Sequence, residues 1–296
     1  MKTRRDFVKS ALGLSAASLA ARPLLFGDHH LPGEKWFDIS LAQWSLHRAF
    51  KGGALDAMDF AKISKQDFGI DALEYVNQFY MDNFGPSVVK ELKKRSSGEG
   101  VKNVLIMCDG LGKLGDPDKA ARTQTVENHK IWADAAKSLG CHSIRVNASS
   151  VGTYDEQMNL AAEGLRMLGE YGDRVGLNVI VENHGGLSSN GAWLSGVMKK
   201  ADHHRVGTLP DFGNFILDRE TGESYDRYKG TKELMPYAKG VSAKSHDFDD
   251  KGNEIHTDYK RMLNIVKDAG YRGYIGVEYE GGEISMYYDP MIAKLC

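Results

Sequence analysis

Short apolar runs alternate with longer stretches of helical period along most of this chain. The runs are apolar or alternate with period two, which is typical of strands, and the stretches between them repeat every 3.6 residues. Eight runs predict strands, at residues 37–46, 70–79, 101–109, 142–149, 177–186, 205–215, 239–249 and 271–282. Helical stretches follow most of them, and this regular alternation favours a parallel sheet.

Helix signals support this reading. Pro86 stands at the first position of one predicted helix, and Gly140 closes a long helix predicted over residues 119–139. No Gly-x-Gly-x-x-Gly follows the first strand and no Walker loop is present, so a doubly wound nucleotide-binding sheet is disfavoured. We therefore predict a single α/β domain, a (β/α)8 TIM barrel, over residues 31–296.

The first thirty residues have a different character. They begin with a charged segment, continue with apolar and small residues from Ala11 to Ala21, and end in small residues suited to a peptidase. This is the pattern of a secretory signal. Arg4-Arg5, followed by Phe7 and Lys9, resembles the twin-arginine export motif. We predict that residues 1–30 are a signal peptide and linker read by the twin-arginine machinery, giving a periplasmic or otherwise exported protein. The apolar stretch is too short for a stable membrane anchor.

Composition narrows the choice of partners. Lys and Arg number 38 against 40 Asp and Glu in 296 residues, without a block of basic residues, so a nucleic-acid partner is not expected. The cysteines, Cys108, Cys141 and Cys296, form no C-x-x-C pair and predict neither a zinc knuckle nor a disulfide framework. A homo-oligomer is compatible with the sequence, which does not fix the oligomeric state.

Acidic residues stand where several predicted strands end. In a TIM barrel, the C-terminal ends of the strands form the site. Glu182, Asp211 and Glu278 end strands five, six and eight, so they converge on one mouth. Three carboxylates would repel each other there unless a cation lay between them. We therefore predict one divalent metal ion; an oxygen-rich set suits Mn²⁺ or Mg²⁺, with Zn²⁺, Co²⁺ or Fe²⁺ as alternatives.

Three motifs at strand ends, "VENHGG", "PDFGNF" and "GYIGVEYEG", occur in the order found in a known group of barrels. On them, residues 36–290 resemble the xylose-isomerase-like TIM barrels called the sugar phosphate isomerase/epimerase family. The resemblance implies one divalent metal held by a strand-five Glu, a strand-six Asp, a strand-seven His and a strand-eight Glu. It assigns Glu182, Asp211 and Glu278 to three of those places, and implies that the two glutamates also move protons.

Strand seven departs from that family pattern. The family often has His-x-Lys-Asp where this chain has Ser242-Ala243-Lys244-Ser245. We take His246, on the same predicted face as Lys244, as the fourth metal ligand; water, a substrate oxygen or His184 are the alternatives. Lys244 at the mouth is a candidate catalytic electrophile or proton donor.

Other polar residues near strand ends are candidates for binding a small sugar. They are His184, Asn214, Asn147, Glu74 and His47. Without an arginine or glycine-rich cluster to mark a phosphate site, an unphosphorylated sugar or keto-sugar is the expected substrate.

The leading hypothesis for function is a metal-dependent sugar isomerase or epimerase. Glu182 and Glu278 would remove and return a proton next to a carbonyl, through an enediolate. The same parts also suit a lyase or hydrolase that acts on 3-keto glycosides by β-elimination, which would release an aglycone. A third hypothesis is a periplasmic sugar-binding barrel without catalysis. A metal-dependent nuclease fits poorly, because the chain offers no basic face.

Overall fold

The structure is a computed structural model that describes residues 35–281. Eight parallel strands form one sheet and alternate with helices, so the predicted (β/α)8 barrel is confirmed. The strands are β1 Asp38–Ala42, β2 Ala72–Val76, β3 Lys102–Met107, β4 Ser143–Val146, β5 Asn178–Glu182, β6 Val206–Leu209, β7 Val241–Ser245 and β8 Tyr274–Tyr279.

Eight α-helices lie within residues 35–281: α1 His47–Lys51, α2 Phe60–Asp67, α3 Pro86–Gly98, α4 Lys119–Leu139, α5 Tyr154–Val175, α6 Gly191–Ala201, α7 Arg227–Leu234 and α8 Tyr259–Asp268. Pro86 opens α3 as predicted, and α4 has the predicted limits. Gly140 ends α4 with φ at 90°, a left-handed conformation that glycine adopts without strain.

The barrel closes between β6 and β7, the two strands at the ends of the hydrogen-bonded order. The hydrogen-bonded strand order is β6-β5-β4-β3-β2-β1-β8-β7. Pro210 follows β6 and has no N–H to donate, so the ladder there is irregular. Isolated bridges join Thr208 to Ala238 and Asp211 to Ser242, and the Ser242 N–H donates to the Pro210 carbonyl at 2.9 Å. This junction places Asp211 beside Ser242.

Alternate residues of each strand face opposite sides of the barrel wall. Val179 and Val181 belong to the larger core cluster, which includes residues of the surrounding helices, whereas Ile180 packs with Leu105 and Leu209 in a separate cluster made of strand residues. The second cluster lies inside the barrel. Since Glu182 has the parity of Ile180, its side chain points inward above that cluster.

The first strand is shorter than the sequence predicts. The predicted first strand at 37–46 is too long: β1 ends at Ala42, and Gln43–Leu46 forms a 3₁₀ turn. Gln43 explains the turn, because its side chain accepts from the Val76 N–H and donates to the Tyr80 hydroxyl.

The predicted signal peptide and Cys296 lie outside the described residues. None of the helices in the described part of the chain combines the length and apolarity needed to cross a membrane.

A carboxylate cluster at the barrel mouth

Three buried carboxylates lie together at the C-terminal ends of the strands. Glu182, Asp211 and Glu278 each offer an oxygen, and these oxygens all lie within 4.8 Å of one another. All three residues are almost fully buried. The structure therefore brings together the three acids that the strand-end pattern singled out. We call this set the carboxylate cluster.

Two buried cations balance part of this negative charge. Arg145 Nε lies 2.7 Å from Glu182 Oε2, and Lys244 Nζ lies 2.9 Å from Glu278 Oε1. Lys244 Nζ also lies 2.9 Å from Glu280 Oε2. Burial alone would lower the pKa of Lys244, but Glu278 and Asp211 raise it well above its usual value. Lys244 therefore remains a cation at neutral pH.

Asp211 lacks a cation at ion-pair distance within the described chain. Burial raises its pKa, and the neighbouring Glu182 and Glu278 add to the rise, against the opposing field of Lys244. Its Oδ1 accepts the N–H groups of Gly213 and Asn214 at 2.8 Å, which fixes the turn after β6. An added Cβ on Gly213 would lie 3.0 Å from Lys244 Cγ, so a larger residue there would press against the Lys244 side chain.

Hydroxyl and amide groups hold the carboxylates in place. Ser242 Oγ donates to Asp211 Oδ2 at 2.8 Å and lies 3.3 Å from Glu278 Oε2. Asn214 Nδ2 donates to Glu182 Oε1 at 2.8 Å. Ser242, at the family's histidine position, thus touches two of the three acids.

His246 is not part of the carboxylate cluster. Strand β7 ends at Ser245, so the alternation on which this expected fourth ligand depended stops one residue earlier. The His246 ring instead lies edge-on to His256, with ring centres 6.1 Å apart. Within residues 35–281, the group of His, Cys, Asp and Glu side chains that could share an ion contains carboxylates only.

The predicted sugar-binding residues differ in their contacts and in their exposure to solvent. Asn214 contacts Glu182, and Asn147 Nδ2 donates to Asp109 Oδ1 at 2.7 Å. His184 is exposed just after β5. His47 lies at the start of α1, and its ring stacks on Trp44 with centres 4.5 Å apart. These four positions surround the C-terminal ends of the strands.

Sequence reasoning missed the role of Asp109. Asp109 follows the end of β3, and Arg145 Nη1 lies 2.6 Å from its Oδ1. Burial tends to raise the pKa of Asp109, but Arg145 lowers it overall. Asp109, Arg145 and Glu182 therefore form a continuous chain of ion pairs along the inner wall. The strand-end rule that selected Glu182 would also have selected Asp109.

The geometry of the carboxylate cluster fits one divalent ion. Oxygen ligands lie about 2.0–2.6 Å from Mg²⁺ or Ca²⁺, so oxygens around one such ion are at most about 4–5 Å apart. The limit of 4.8 Å between the three oxygens agrees with this. The ligands are all oxygens, which suits a hard cation such as Mg²⁺ or Mn²⁺.

Glu74 occupies the inside of the barrel rather than its rim. It lies in the middle of β2, is 1% exposed, and accepts the Ser40 hydroxyl at 2.6 Å. A Cβ on Gly276 would meet its carboxylate at 2.6 Å, so a glycine in β8 makes the room for it. Burial raises the pKa of Glu74 to about 8, and Glu278 and Glu182 contribute.

This raised pKa predicts an effect on stability. Between pH 4.5 and about 8, the folded protein holds a proton on Glu74 that the unfolded chain has already released. The free energy of unfolding therefore falls as pH rises through that range. Glu74→Gln removes this loss, so we expect the variant to be more stable than the wild type by about 3 kcal/mol at pH 7 and nearly equal to it at pH 4.5. Urea unfolding at several pH values measures the difference.

The control for this comparison is Glu170→Gln, an exposed change on α5. It should show the same fall in the free energy of unfolding between pH 4.5 and pH 8 as the wild type. A stability gain in Glu74→Gln that does not vary with pH would contradict the assignment of a buried, protonated Glu74.

Comparison with known proteins places this barrel in a family. Residues 64–291 match the xylose isomerase-like TIM barrel family. The curated relatives match over short segments, and the chain spans only 4% and 14% of their lengths. One of them is the C-glycoside deglycosidase alpha subunit of Arthrobacter globiformis, 41% identical over 49 residues, which are 17% of this chain and 14% of that protein.

Solved structures agree on the fold. The apo form of 3-keto-D-glucoside 4-epimerase from E. coli aligns with a TM-score of 0.62 at 15% identity, over 83% of this chain and 92% of that one. A xylose isomerase-like TIM barrel protein from Mycobacterium smegmatis in complex with magnesium aligns with a TM-score of 0.64 at 17% identity, over 87% and 94% of the two chains. Together, the sequence match over residues 64–291 and the barrel itself show that this chain belongs to the xylose isomerase-like TIM barrel family.

Proposed function

We propose that this protein is a metal-dependent epimerase or isomerase that moves a proton at a carbon next to the carbonyl of a small sugar or keto-sugar. The observation that carries the proposal is the carboxylate cluster, in which acids from β5 and β8 meet around a third acid at the mouth of the barrel. Epimerases among the structural neighbours, such as 3-keto-D-glucoside 4-epimerase, support it at the level of the fold.

Proton abstraction needs a base, and return of the proton needs an acid. Glu182 and Glu278 supply these groups from strands on either side of Asp211. Asn214 orients Glu182, while Lys244 and Ser242 orient Glu278. One glutamate accepts the proton and the other returns it, which inverts or relocates the C–H bond.

Glu182, Asp211 and Glu278 would hold the divalent ion. A bound ion of this kind stabilises negative charge that develops on a carbonyl oxygen, an effect typically worth several kcal/mol. Lys244 is a second cation beside Glu278. Its contacts hold the Glu278 and Glu280 carboxylates in place, and its charge helps to lower the pKa of Glu280.

The charges at the mouth favour a neutral substrate. The two cations that contact the carboxylate cluster, Arg145 and Lys244, are already paired with acids. A phosphate group would need a cation of its own. We therefore propose a sugar or keto-sugar without phosphate.

The short match to a deglycosidase subunit favours a second reaction class. If the anion formed beside a keto group expels the substituent on the β carbon, the C–O or C–C bond to the aglycone breaks and its electron pair leaves with the aglycone. The proton abstraction is the same, so Glu182 and Glu278 would serve here too.

One experiment separates these reactions. The purified protein, supplied with Mn²⁺ or Mg²⁺, is incubated in D₂O with free, phosphorylated and 3-keto sugars and with 3-keto glycosides. We expect deuterium at the carbon next to the carbonyl of the neutral substrates, detected by mass spectrometry and NMR. Release of aglycone would instead assign the elimination. Absence of both deuterium uptake and bond cleavage across the panel would contradict the proposed function.

A further inference from the structure

A cavity lies beside the carboxylate cluster, at the ends of β3, β4 and β5. Its volume is about 230 Å³. The side chains and backbone that line it come from Cys108, Gly110, Leu111, Gly112, His129, Asn147, Ser149 and His184. Three strand-end loops and α4 therefore build it together. We call it the side cavity.

The side cavity is joined to Glu182 by direct contacts. Asn147 in its wall donates to Asp109 at 2.7 Å, and Asp109 lies 2.6 Å from Arg145. Arg145 in turn lies 2.7 Å from Glu182. His184, which also lines the cavity, stands two residues after Glu182, so the side cavity borders the end of β5 that carries one acid of the carboxylate cluster.

The walls of the side cavity carry polar atoms that can form hydrogen bonds with a ligand. Asn147 Oδ1 is buried and accepts no hydrogen bond within the described chain. His129 Nδ1 lies 2.7 Å from the Thr125 carbonyl, so this nitrogen carries the proton and Nε2 is left as an acceptor. Burial lowers the pKa of His129, so its ring is neutral. Ser149 and His184 are exposed and add polar groups at the opening.

The charge of the lining residues and the volume of the side cavity indicate the class of ligand that it can bind. The lining residues include no lysine or arginine, and Asp109 lies against Asn147, so an anion is disfavoured. Pockets that enclose a whole drug-sized ligand measure roughly 300–1,000 Å³, so this smaller cavity has room for a single ring. A neutral ring with several hydroxyl groups matches both properties.

We propose that the side cavity binds the second ring of a two-ring saccharide or glycoside whose reacting ring lies over the carboxylate cluster. The proposal rests on the proposed function and specifies its substrate class as a glycoside rather than a free monosaccharide. Asn147 and His129 provide acceptors for hydroxyl groups of that second ring.

The test blocks the side cavity with a substitution and leaves the residues of the carboxylate cluster unchanged. Ser149 is exposed, so Ser149→Trp places a bulky side chain in the opening at little risk to folding. Val151→Trp is the matched control, because Val151 is exposed in the same loop and does not line the cavity. The substrates are 3-keto-glucose and cellobiose oxidised at C3 of its non-reducing ring. Unoxidised cellobiose serves as a probe of binding alone, by calorimetry.

We expect Ser149→Trp to raise the KM for oxidised cellobiose by about tenfold, the size of one or two lost hydrogen bonds, and to change the KM for 3-keto-glucose by less than about twofold. Val151→Trp should match the wild type with both substrates. Equal effects of Ser149→Trp on both substrates, or no effect on either, would overturn the proposal. If the wild type processes neither substrate, the proposed function fails, and the cavity is judged on cellobiose binding alone: loss in Ser149→Trp but not in Val151→Trp supports it, and equal binding in all three proteins refutes it.

Discussion

Replacing Glu182 or Glu278 by glutamine is expected to lower the rate of solvent deuterium exchange into the substrate by at least about 10³-fold. General acid–base catalysis typically contributes 10²–10⁴-fold, and each change also removes one of the three carboxylates that would hold the ion. Glutamine keeps the size of the side chain and can keep its contacts with Asn214 or Ser242. The loss should therefore appear in turnover while the fold survives, as judged by circular dichroism and thermal unfolding.

Glu170→Gln is the matched control, since it makes the same chemical change on the outer surface of α5. It should keep the exchange rate of the wild type. The assignment of two proton-transferring carboxylates would be wrong if either Glu182→Gln or Glu278→Gln exchanged deuterium at a rate close to that of the wild type. A large loss in only one of them would identify that glutamate as a single base.

The strand-end position of the acids explains why most of the carboxylate cluster could be predicted. In a parallel barrel, the direction of each strand and the parity of its residues decide which side chains reach the mouth. Glu182 follows Ile180 on the inner face, and Glu278 follows Gly276, whose missing side chain leaves space for Glu74. Apolar periodicity, together with the rule that the site of a parallel barrel lies at its strand ends, was enough to place these two residues on one rim.

Contacts between strands distant in sequence could not be predicted in the same way. His246 was expected on the face of Lys244, but β7 ends at Ser245. Gln43 was expected inside a strand, but its amide turns to bind Val76 and Tyr80. In each case a local pattern continued past the point where tertiary contacts ended the strand. The pairing of Arg145 with both Asp109 and Glu182 likewise depends on three strands meeting, which a single segment does not encode.

The charge balance of the carboxylate cluster argues for a response to metal. Arg145 and Lys244 pair with Glu182 and Glu278, but within the described residues the Asp211 carboxylate accepts only from backbone N–H groups and the Ser242 hydroxyl. Burying a carboxylate without a cation is costly, and its raised pKa reflects that cost. A divalent ion between the three acids would remove the cost, so binding should stabilise the folded state.

We therefore expect 1 mM Mn²⁺ or Mg²⁺ to raise the Tm of the chelator-treated protein by about 5–10 °C. A ligand at 100 times its Kd adds about 2.7 kcal/mol, and each kcal/mol shifts the Tm of a protein of this size by about 2–4 °C. The same addition should restore deuterium exchange lost on chelation. Asp211→Asn should abolish both responses, because asparagine can still accept the N–H groups of Gly213 and Asn214 but removes the negative charge.

Asp67→Asn, an exposed change on α2, provides the control and should respond to metal like the wild type. Differential scanning fluorimetry and elemental analysis of each protein after dialysis measure stabilisation and bound metal independently of turnover. If Asp211→Asn bound metal and gained stability as the wild type does, the three acids would not share an ion. In that case Arg145 and Lys244 would be the only cations within residues 35–281 that balance the charge of the carboxylate cluster. The proton transfer would then depend on Lys244 to stabilise the negative charge that develops on the substrate.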